Sequence, residues 1–216
     1  MSIIKKYDTR LRKKIALRAV WLPGTYIKVG DILRLKNDAF VSVGNLKDYD
    51  ISFSEKIIAE DHSIKIQSQG VSCTLSQNKA NINVSKLATE IEADLKISFN
   101  AENSYFMRTP KLQGMGLDQA LKVSHKIAKI PNWDFRKNYI VHKIWIADDF
   151  VFLGSTKKGI DLTFTGKGEA IKNLLDNGIS SNTSVKGQNE LGFEILGKSG
   201  PIVMQVFRVK RDGDFY

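Results

Sequence analysis

The sequence predicts an α+β protein with a mainly antiparallel, twisted β-sheet and about two packed helices. Apolar and polar residues alternate with period two over many short segments. Only two segments have apolar residues at helical spacing, and they lie between blocks of strands instead of after each strand. The chain has 216 residues, of which 42% are hydrophobic and 26% charged, so it can bury a core without disulfides or metals. We expect one β-rich domain over 1–216 with a basic N-terminal arm (1–18).

The first third of the chain reads as short strands separated by turns. We expect Asn37-Asp38 to join two of them as a hairpin, with Ile32, Leu35 and either Phe40 or Val41 facing one core. The predicted strands are Ile15–Leu22, Tyr26–Val29, Asp31–Leu35 and Ala39–Val43.

Residues 62–108 carry the clearest alternation. It involves first Ile64 and Ile66, then Val71, Cys73 and Leu75, and then Ile82 and Val84. From Leu87 to Phe99 it continues without an error over thirteen residues, whereas a globular strand usually has about five or six. A long, two-faced strand is therefore predicted over 87–99.

Two helices and a second block of strands complete the prediction. Apolar residues at helical spacing predict a helix over Leu117–Ile130, closed by Pro131, and another over Glu169–Asn177, ended by Gly178. Asp148-Asp149 is interpreted as a solvated hairpin turn. The remaining predicted strands are Tyr139–Trp145, Phe150–Leu153, Ile160–Phe164, Leu191–Leu196 and Ile202–Val209.

The sequence offers no constellation of catalytic or metal-ligating residues. His62, His125 and His142 lack the spacing of metal ligands, and Cys73 in an alternating strand is typical of a small buried hydrophobe. Gly154–Gly159 has the glycine spacing of a phosphate loop, but Ile160-Asp161 stands where the loop requires Lys-Ser/Thr. We therefore expect no enzymatic activity, no cofactor and no metal.

The charge is concentrated at the N-terminus. Lys and Arg outnumber Asp and Glu by 33 to 23, a net charge of +10, which favours polyanionic partners such as acidic lipid or nucleic acid. Residues 1–18 hold seven basic residues against the single Asp8, so the arm is either a polyanion-binding site or simply solvated. The cations Lys122, Lys126 and Lys129 could bind phosphates, but the favoured interpretation is the solvated face of a helix. The candidate lipid- or polyanion-binding residues are Lys5, Lys6, Arg10, Arg12, Lys13, Lys14 and Arg18.

The location in the cell is predicted from what the sequence lacks. Its single cysteine favours a reducing compartment. No apolar run is long enough for a spanning helix, and Ile15–Leu17 is too short for a signal-peptide core. We expect a soluble, cytoplasmic resting protein.

The order of these elements resembles the pore-forming domain of the gasdermin family, in particular its bacterial type. Three segments carry the local resemblance. Phe40–Ile51 is similar to the family's early strand and the element after it, Asn138–Ile146 to the strand that opens its second hairpin, and Gly200–Val209 to its last core strand. Ser2 has no nearby cysteine to match the lipidated cysteine of the bacterial members, and Lys210–Tyr216 is short for their inhibitory C-terminal segment.

The resemblance implies a membrane-active, pore-forming effector that is cytoplasmic at rest and membrane-associated on activation. Members of the family bind acidic lipids, form homo-oligomers and refold two extended regions into membrane-spanning β-hairpins; an activating protease is an expected partner, and bacterial members act as cell-suicide effectors in antiviral defence. Residues 62–100 would be the first inserting region and 138–165 the second. The candidate membrane-facing residues are Leu87, Ile91, Leu95, Ile97 and Phe99.

Two other functions remain open at this stage. The same strands and charges fit a non-enzymatic, basic β-rich binding module for nucleic acid or for an acidic protein partner. A small-molecule carrier, or an enzyme whose site is assembled from scattered polar residues, ranks last because the sequence provides no nucleophile, base or metal cluster for it.

Overall fold

Strands dominate the computed structural model, which describes residues 1–178, 183–187 and 192–216. In those residues it contains fourteen strands and three α-helices, and the strand pairings with a defined register are antiparallel. The predicted α+β class is therefore confirmed. The helices are α1 (Ile3–Ile15), α2 (Ala120–Ile127) and α3 (Gly168–Asn177). The sequence predicted α2 and α3, whereas α1 was not expected.

The contacts divide the chain into two compact units. Unit 1 comprises 1–7, 62–112 and 147–199, and unit 2 comprises 8–61, 113–146 and 200–216. Helix α1 contributes residues to both units, as do two long strands, β11 (Tyr139–Ser155) and β14 (Phe193–Phe207).

Unit 1 contains a five-stranded sheet in the order β13-β12-β8-β6-β7. The central strand β8 pairs with β12 on one side and with β6 on the other, so that Ile97 lies opposite both Leu162 and Cys73. The bounds of the strands are Val71–Gln77 for β6, Ala80–Asn81 for β7, Glu92–Phe99 for β8, Ile160–Lys167 for β12 and Thr183–Lys186 for β13.

A second set of strands in unit 1 supplies the other wall of its core. β9 (Ser104–Arg108) pairs with β5 (Lys65–Gln67) and with Val151–Ser155 of β11. The core contains Leu95, Ile97 and Phe99 of β8, Phe106 of β9, Val151 and Leu153 of β11, and Ile171 and Leu174 of α3. Helix α3 thus packs its apolar stripe on the sheet, as predicted, and ends at Gly178, whose φ is 78°.

Arg108 fastens the C-terminal end of α3 to the strands beside it. Its guanidinium donates four hydrogen bonds, to the carbonyl oxygens of Leu175, Ile66 and Met107 and to the side-chain oxygen of Gln67. Burial lowers the pKa of Arg108, and nearby Cys73 and Asp176 offset part of this effect. The cation therefore stabilises the helix C-terminus, where carbonyl groups lack helical partners.

Unit 2 has its own core. Val123 and Ile127 of α2 pack there with Ile32, Leu33, Phe40, Ile140, Val141 and Met204. The bounds of its strands are Arg18–Ala19 for β1, Asp31–Lys36 for β2, Ala39–Asn45 for β3, Glu55–His62 for β4 and Leu112–Leu117 for β10, together with parts of β11 and β14. His62 and Leu112, at the ends of β4 and β10, belong to unit 1.

The predicted hairpin at Asn37-Asp38 is confirmed, with one correction. Both turn residues have left-handed φ angles, 51° and 67°, as a type I′ turn requires. Ile32 and Phe40 are buried in the core of unit 2, as predicted, with Phe40 instead of the alternative Val41 facing it. The predicted core position of Leu35 was wrong, because its side chain is 51% exposed.

Several predicted strands differ in extent from the observed ones. Ile15–Leu22 is occupied by the end of α1 and the two-residue β1, and Tyr26–Val29 forms no strand. The predicted strands Tyr139–Trp145 and Phe150–Leu153 are one strand, β11, and the predicted turn at Asp148-Asp149 was wrong. Both residues lie within β11, where Asp149 has a left-handed φ of 51°. Ile202 to Phe207 belongs to β14, and Leu191 of the predicted strand Leu191–Leu196 lies outside the described residues.

The thirteen-residue strand predicted over Leu87–Phe99 was also wrong in length. Strand β8 begins at Glu92 and has eight residues. The preceding segment contains a short 3-10 helix, Val84–Lys86, where the alternation through Ile82 and Val84 was expected to continue as strand. A turn follows at Thr89-Glu90.

The Arg108 contacts predict a loss of stability when the guanidinium is removed. Arg108→Met deletes all four hydrogen bonds and leaves the acceptors at least partly buried, so we expect the free energy of unfolding to fall by about 2–4 kcal/mol. Arg108→Lys keeps the positive charge but loses the planar guanidinium, so its free energy of unfolding should lie between those of the natural protein and the Met variant. Denaturant unfolding measures both. Arg211→Met, at an exposed arginine, is the control, and equal stabilities of the Arg108 and Arg211 variants would contradict the role of the clamp.

His142 predicts a pH dependence of stability. Burial lowers its pKa below the usual 6.5, and Lys143 and Lys56 lower it further. The unfolded state therefore takes up the proton at a higher pH than the folded state, and stability should fall as the pH drops below about 6.5. The measurement is the melting temperature at pH 7 and at pH 5. His142→Phe keeps the ring packing on Phe207 and Phe215, and its melting temperature should decrease less between pH 7 and pH 5 than that of the natural protein. An equal decrease for the variant and the natural protein would refute the role of His142.

Candidate polyanion-binding helix and two-faced sheet

Helix α1 forms because its apolar residues recur every fourth position. Ile3, Tyr7 and Leu11 lie on one stripe and are buried. Ser2 caps the start, since its hydroxyl accepts a hydrogen bond from the main-chain N–H of Lys5 at 3.3 Å. Tyr7 packs edge to face against Tyr105, with ring centroids 5.3 Å apart, and its hydroxyl lies 2.9 Å from the sulfur of Met107. This spacing of apolar residues was present in the sequence and could have predicted the helix.

Asp8 is the only acidic residue of α1, and it faces inward at 7% exposure. Its Oδ1 accepts hydrogen bonds from the Arg18 guanidinium at 3.0 Å and from the main-chain N–H of Ala19 at 2.9 Å. Its Oδ2 lies 3.3 Å from the Arg12 guanidinium. One buried carboxylate thus ties the helix to the chain that follows it.

The outward face of α1 carries cations and no carboxylate. Six of the seven predicted polyanion-binding residues lie on this helix, and Arg18 lies just beyond its end. Arg12 and Arg18 share Asp8, and Lys6 donates to the carbonyl oxygen of Glu102 at 2.9 Å. The remaining four form no ion pair with any residue that the structure describes: Lys5, Arg10, Lys13 and Lys14. Such a surface attracts phosphates and other anions.

The five-stranded sheet of unit 1 has one apolar and one polar face. On the polar face the Lys96 ammonium lies 2.6 Å from the Asp161 carboxylate, and the hydroxyl of Thr165 donates to Asp94 at 2.6 Å. Hydrogen bonds from Lys96 and then Ser98 lower the pKa of Asp161. Strand β8 alternates strictly between the faces from Glu92 to Phe99. The opposite, apolar face is covered by α3 and by strands β9 and β11.

The structure brings together three of the five predicted membrane-facing residues. Leu95, Ile97 and Phe99 share the apolar face of β8 and are fully buried. Leu87 and Ile91 precede the strand, where Leu87 is partly buried and Ile91 is 44% exposed. In this structure, therefore, three of the five predicted membrane-facing side chains are covered by the protein, and the other two lie outside strand β8.

The described residues hold no group of three His, Cys, Asp or Glu side chains that could bind a metal ion. Burial raises the pKa of the Cys73 thiol, an effect that Arg108 partly offsets, so the nucleophilic thiolate is disfavoured. Among the same residues, no helix combines the length and the apolar character needed to span a bilayer.

The sequence matches no protein-family model and no curated protein at a significant level. Solved structures similar to this chain include two gasdermins. A bacterial gasdermin from Bradyrhizobium tropiciagri has 11% sequence identity, with 93% of this chain and 85% of that chain covered and a TM-score of 0.41. The cryo-EM structure of the Gasdermin A3 membrane pore has 8% identity, with 96% and 90% covered and a TM-score of 0.42. Both structures are of gasdermins, the family that the sequence resembles.

Proposed function

We propose that this protein is a membrane-active, pore-forming effector. In this proposal α1 binds an acidic lipid surface, several copies assemble, and strands of the five-stranded sheet insert into the bilayer. The observation that carries the proposal is the strict alternation of β8, whose apolar side chains share one face and whose polar side chains share the other. Transmembrane β-strands have this same alternation, with the apolar face in lipid and the polar face in water.

Binding to the lipid surface rests on α1. Each Lys or Arg close to an anionic leaflet contributes about 1 kcal/mol of attraction, and α1 offers four cations that no carboxylate of the described residues neutralises. The protein would be cytoplasmic at rest and membrane-associated once activated. Activation by a protease, and a role in antiviral cell suicide, are parts of the proposal that rest on the sequence resemblance.

The inserting strands are assigned from their faces and lengths. A tilted β-strand crosses a bilayer with about 9–11 residues. β8 has eight residues, and adding 87–91 gives thirteen. In the second predicted region, 138–165, the side chains of Phe150–Ser155 in β11 are all buried, without alternation, whereas β12 alternates. We therefore assign the first inserting region to β6–β8 and the second to β12 instead of β11.

The proposal requires oligomerisation because the inserted strands must satisfy their main-chain hydrogen bonds. In the hydrocarbon core, every main-chain N–H and C=O group of an inserted strand needs a partner, and only a closed barrel supplies one at each edge. A few strands from one chain cannot close a barrel with a water-filled lumen, so neighbouring copies must complete it.

The proposal predicts that lipid binding depends on the charges of α1. Replacing Lys5, Arg10 and Lys13 with Gln keeps good helix formers and removes three positive charges. We expect binding to vesicles containing anionic phospholipid to weaken by about 3 kcal/mol, roughly a hundredfold, and dye release to fall with it. Cosedimentation and release of an entrapped dye are the measurements, made with and without limited proteolysis.

The control is a matched triple variant with glutamine at Lys36, Lys129 and Lys210, which are exposed and lie outside both proposed inserting regions; it has the same net charge. If both triple variants lost vesicle binding equally, the binding would depend on the net charge of the protein and not on α1. Absence of vesicle binding and of dye release under every treatment would dispose of the proposed function. Tighter binding to duplex DNA than to vesicles, with a steep salt dependence, would instead support the basic binding module.

A further inference from the structure

The segment 87–91, which we call the hinge segment, has the residue alternation of a strand but is not one. Its odd-numbered residues Leu87, Thr89 and Ile91 continue the phase of the apolar residues of β8, yet β8 begins only at Glu92. Interactions from elsewhere in unit 1 must therefore hold the segment in its observed conformation.

The side-chain amide of Gln77 binds the hinge segment directly. Gln77 lies at the end of β6 and is 8% exposed. Its Nε2 donates hydrogen bonds to the carbonyl oxygens of Ala88 at 2.9 Å and Ile91 at 3.1 Å. Its Oε1 accepts one from the main-chain N–H of Ala88 at 3.0 Å. One buried amide thus binds three main-chain groups of the hinge segment.

The first turn of α3 binds the same segment from the other side. The main-chain N–H of Gly168 donates to the carbonyl oxygen of Ile91 at 2.9 Å, and that of Glu169 donates to Thr89 at 3.0 Å. These N–H groups have no partner within the helix, so the hinge segment caps α3. A Cβ atom at residue 168 would collide with the carbonyl oxygen of Ala88, which explains the glycine at this close approach.

The strand register shows that a longer β8 and the observed α3 exclude each other. Ile160 pairs with Phe99 and Lys167 with Glu92. Continued by one step, the same register pairs Gly168 with Ile91, and these two residues are already joined by the hydrogen bond from the Gly168 N–H to the Ile91 carbonyl oxygen. Continued by three steps, it would pair Ala170 with Thr89, but Ala170 lies in the first turn of α3. Beyond the Gly168–Ile91 pair, both strands can therefore lengthen only if this turn unwinds.

We propose that Gln77 and the first turn of α3 form a latch that keeps β8 at eight residues in the resting protein. Release of the latch lets β8 and β12 lengthen together to the span of a bilayer. This inference rests on the proposed function, but it also makes a claim about the resting protein in solution, which can be tested separately.

Gln77→Met removes the three hydrogen bonds and keeps the side-chain volume. We expect amide hydrogen exchange to accelerate by roughly tenfold to a hundredfold at Ala88, Gly168 and Glu169, and dye release from anionic vesicles to become several-fold faster. Gln113→Met, at an exposed glutamine of β10, is the matched control and should change neither. Unchanged exchange at these three amides in the Gln77 variant would overturn the proposal.

Thr89→Pro tests the latch in the opposite direction. A proline fits the first position of the turn at Thr89-Glu90, but it removes a donor from an extended β8. We expect unchanged thermal stability and dye release at least tenfold slower than that of the natural protein. Dye release as fast as that of the natural protein would overturn the proposal. If the natural protein never leaks, the proposed function fails, and the exchange of the Gln77 variant still decides whether the latch exists.

Discussion

The apolar face of the five-stranded sheet in unit 1 is the constraint on which the rest of the account depends. Leu95, Ile97 and Phe99 point to this face and are fully buried. Burial of side chains of this size stabilises a protein by about 1.5–3 kcal/mol each, so leaving them in water would cost a large part of the stability of a domain. The face therefore needs a cover, and in this structure α3 and the strands β9 and β11 provide it.

Helix α3, one part of this cover, is held at both of its ends by hydrogen bonds to main-chain groups. At the N-terminal end of α3 the hinge segment accepts hydrogen bonds from Gly168 and Glu169. At the C-terminal end Arg108 donates to Leu175, and Lys65 lies 3.3 Å from Asp176. The exposed Lys65–Asp176 pair contributes little, whereas the partly buried Arg108 contacts contribute more. A cover held by a small number of local contacts can be stable at rest and still be removable.

Local sequence signals predicted the parts of the fold that local interactions determine. The hairpin at Asn37-Asp38 and the end of α3 at Gly178 were found because these residues favour left-handed backbone. The cations of α1 were identified from charge alone, but the helix was missed although Ile3, Tyr7 and Leu11 have helical spacing. The inward position of Asp8 could not be predicted, because its partners Arg18 and Ala19 meet it only through the fold.

Long-range contacts explain the largest errors in the secondary structure predicted from the sequence. The alternation of 87–91 predicts a strand, and only the distant residues Gln77 and Gly168 prevent it. The acidic pair at 148–149 was interpreted as a turn because nothing in the local sequence indicates that Asp149 adopts a left-handed φ inside a continuous strand. Such positions, where the local pattern and the folded structure disagree, are where a change of conformation would begin.

The central claim is that the apolar face of β8 exchanges its protein cover for lipid. The most direct measurement attaches an environment-sensitive fluorophore to single cysteines from Ala93 to Phe99, with Cys73 replaced by Ser, and follows emission when anionic vesicles are added. The account predicts a period of two, in which the odd-numbered positions report lipid and the even-numbered positions report water. Emission that stays unchanged at all seven positions, or that changes without alternation, would contradict it.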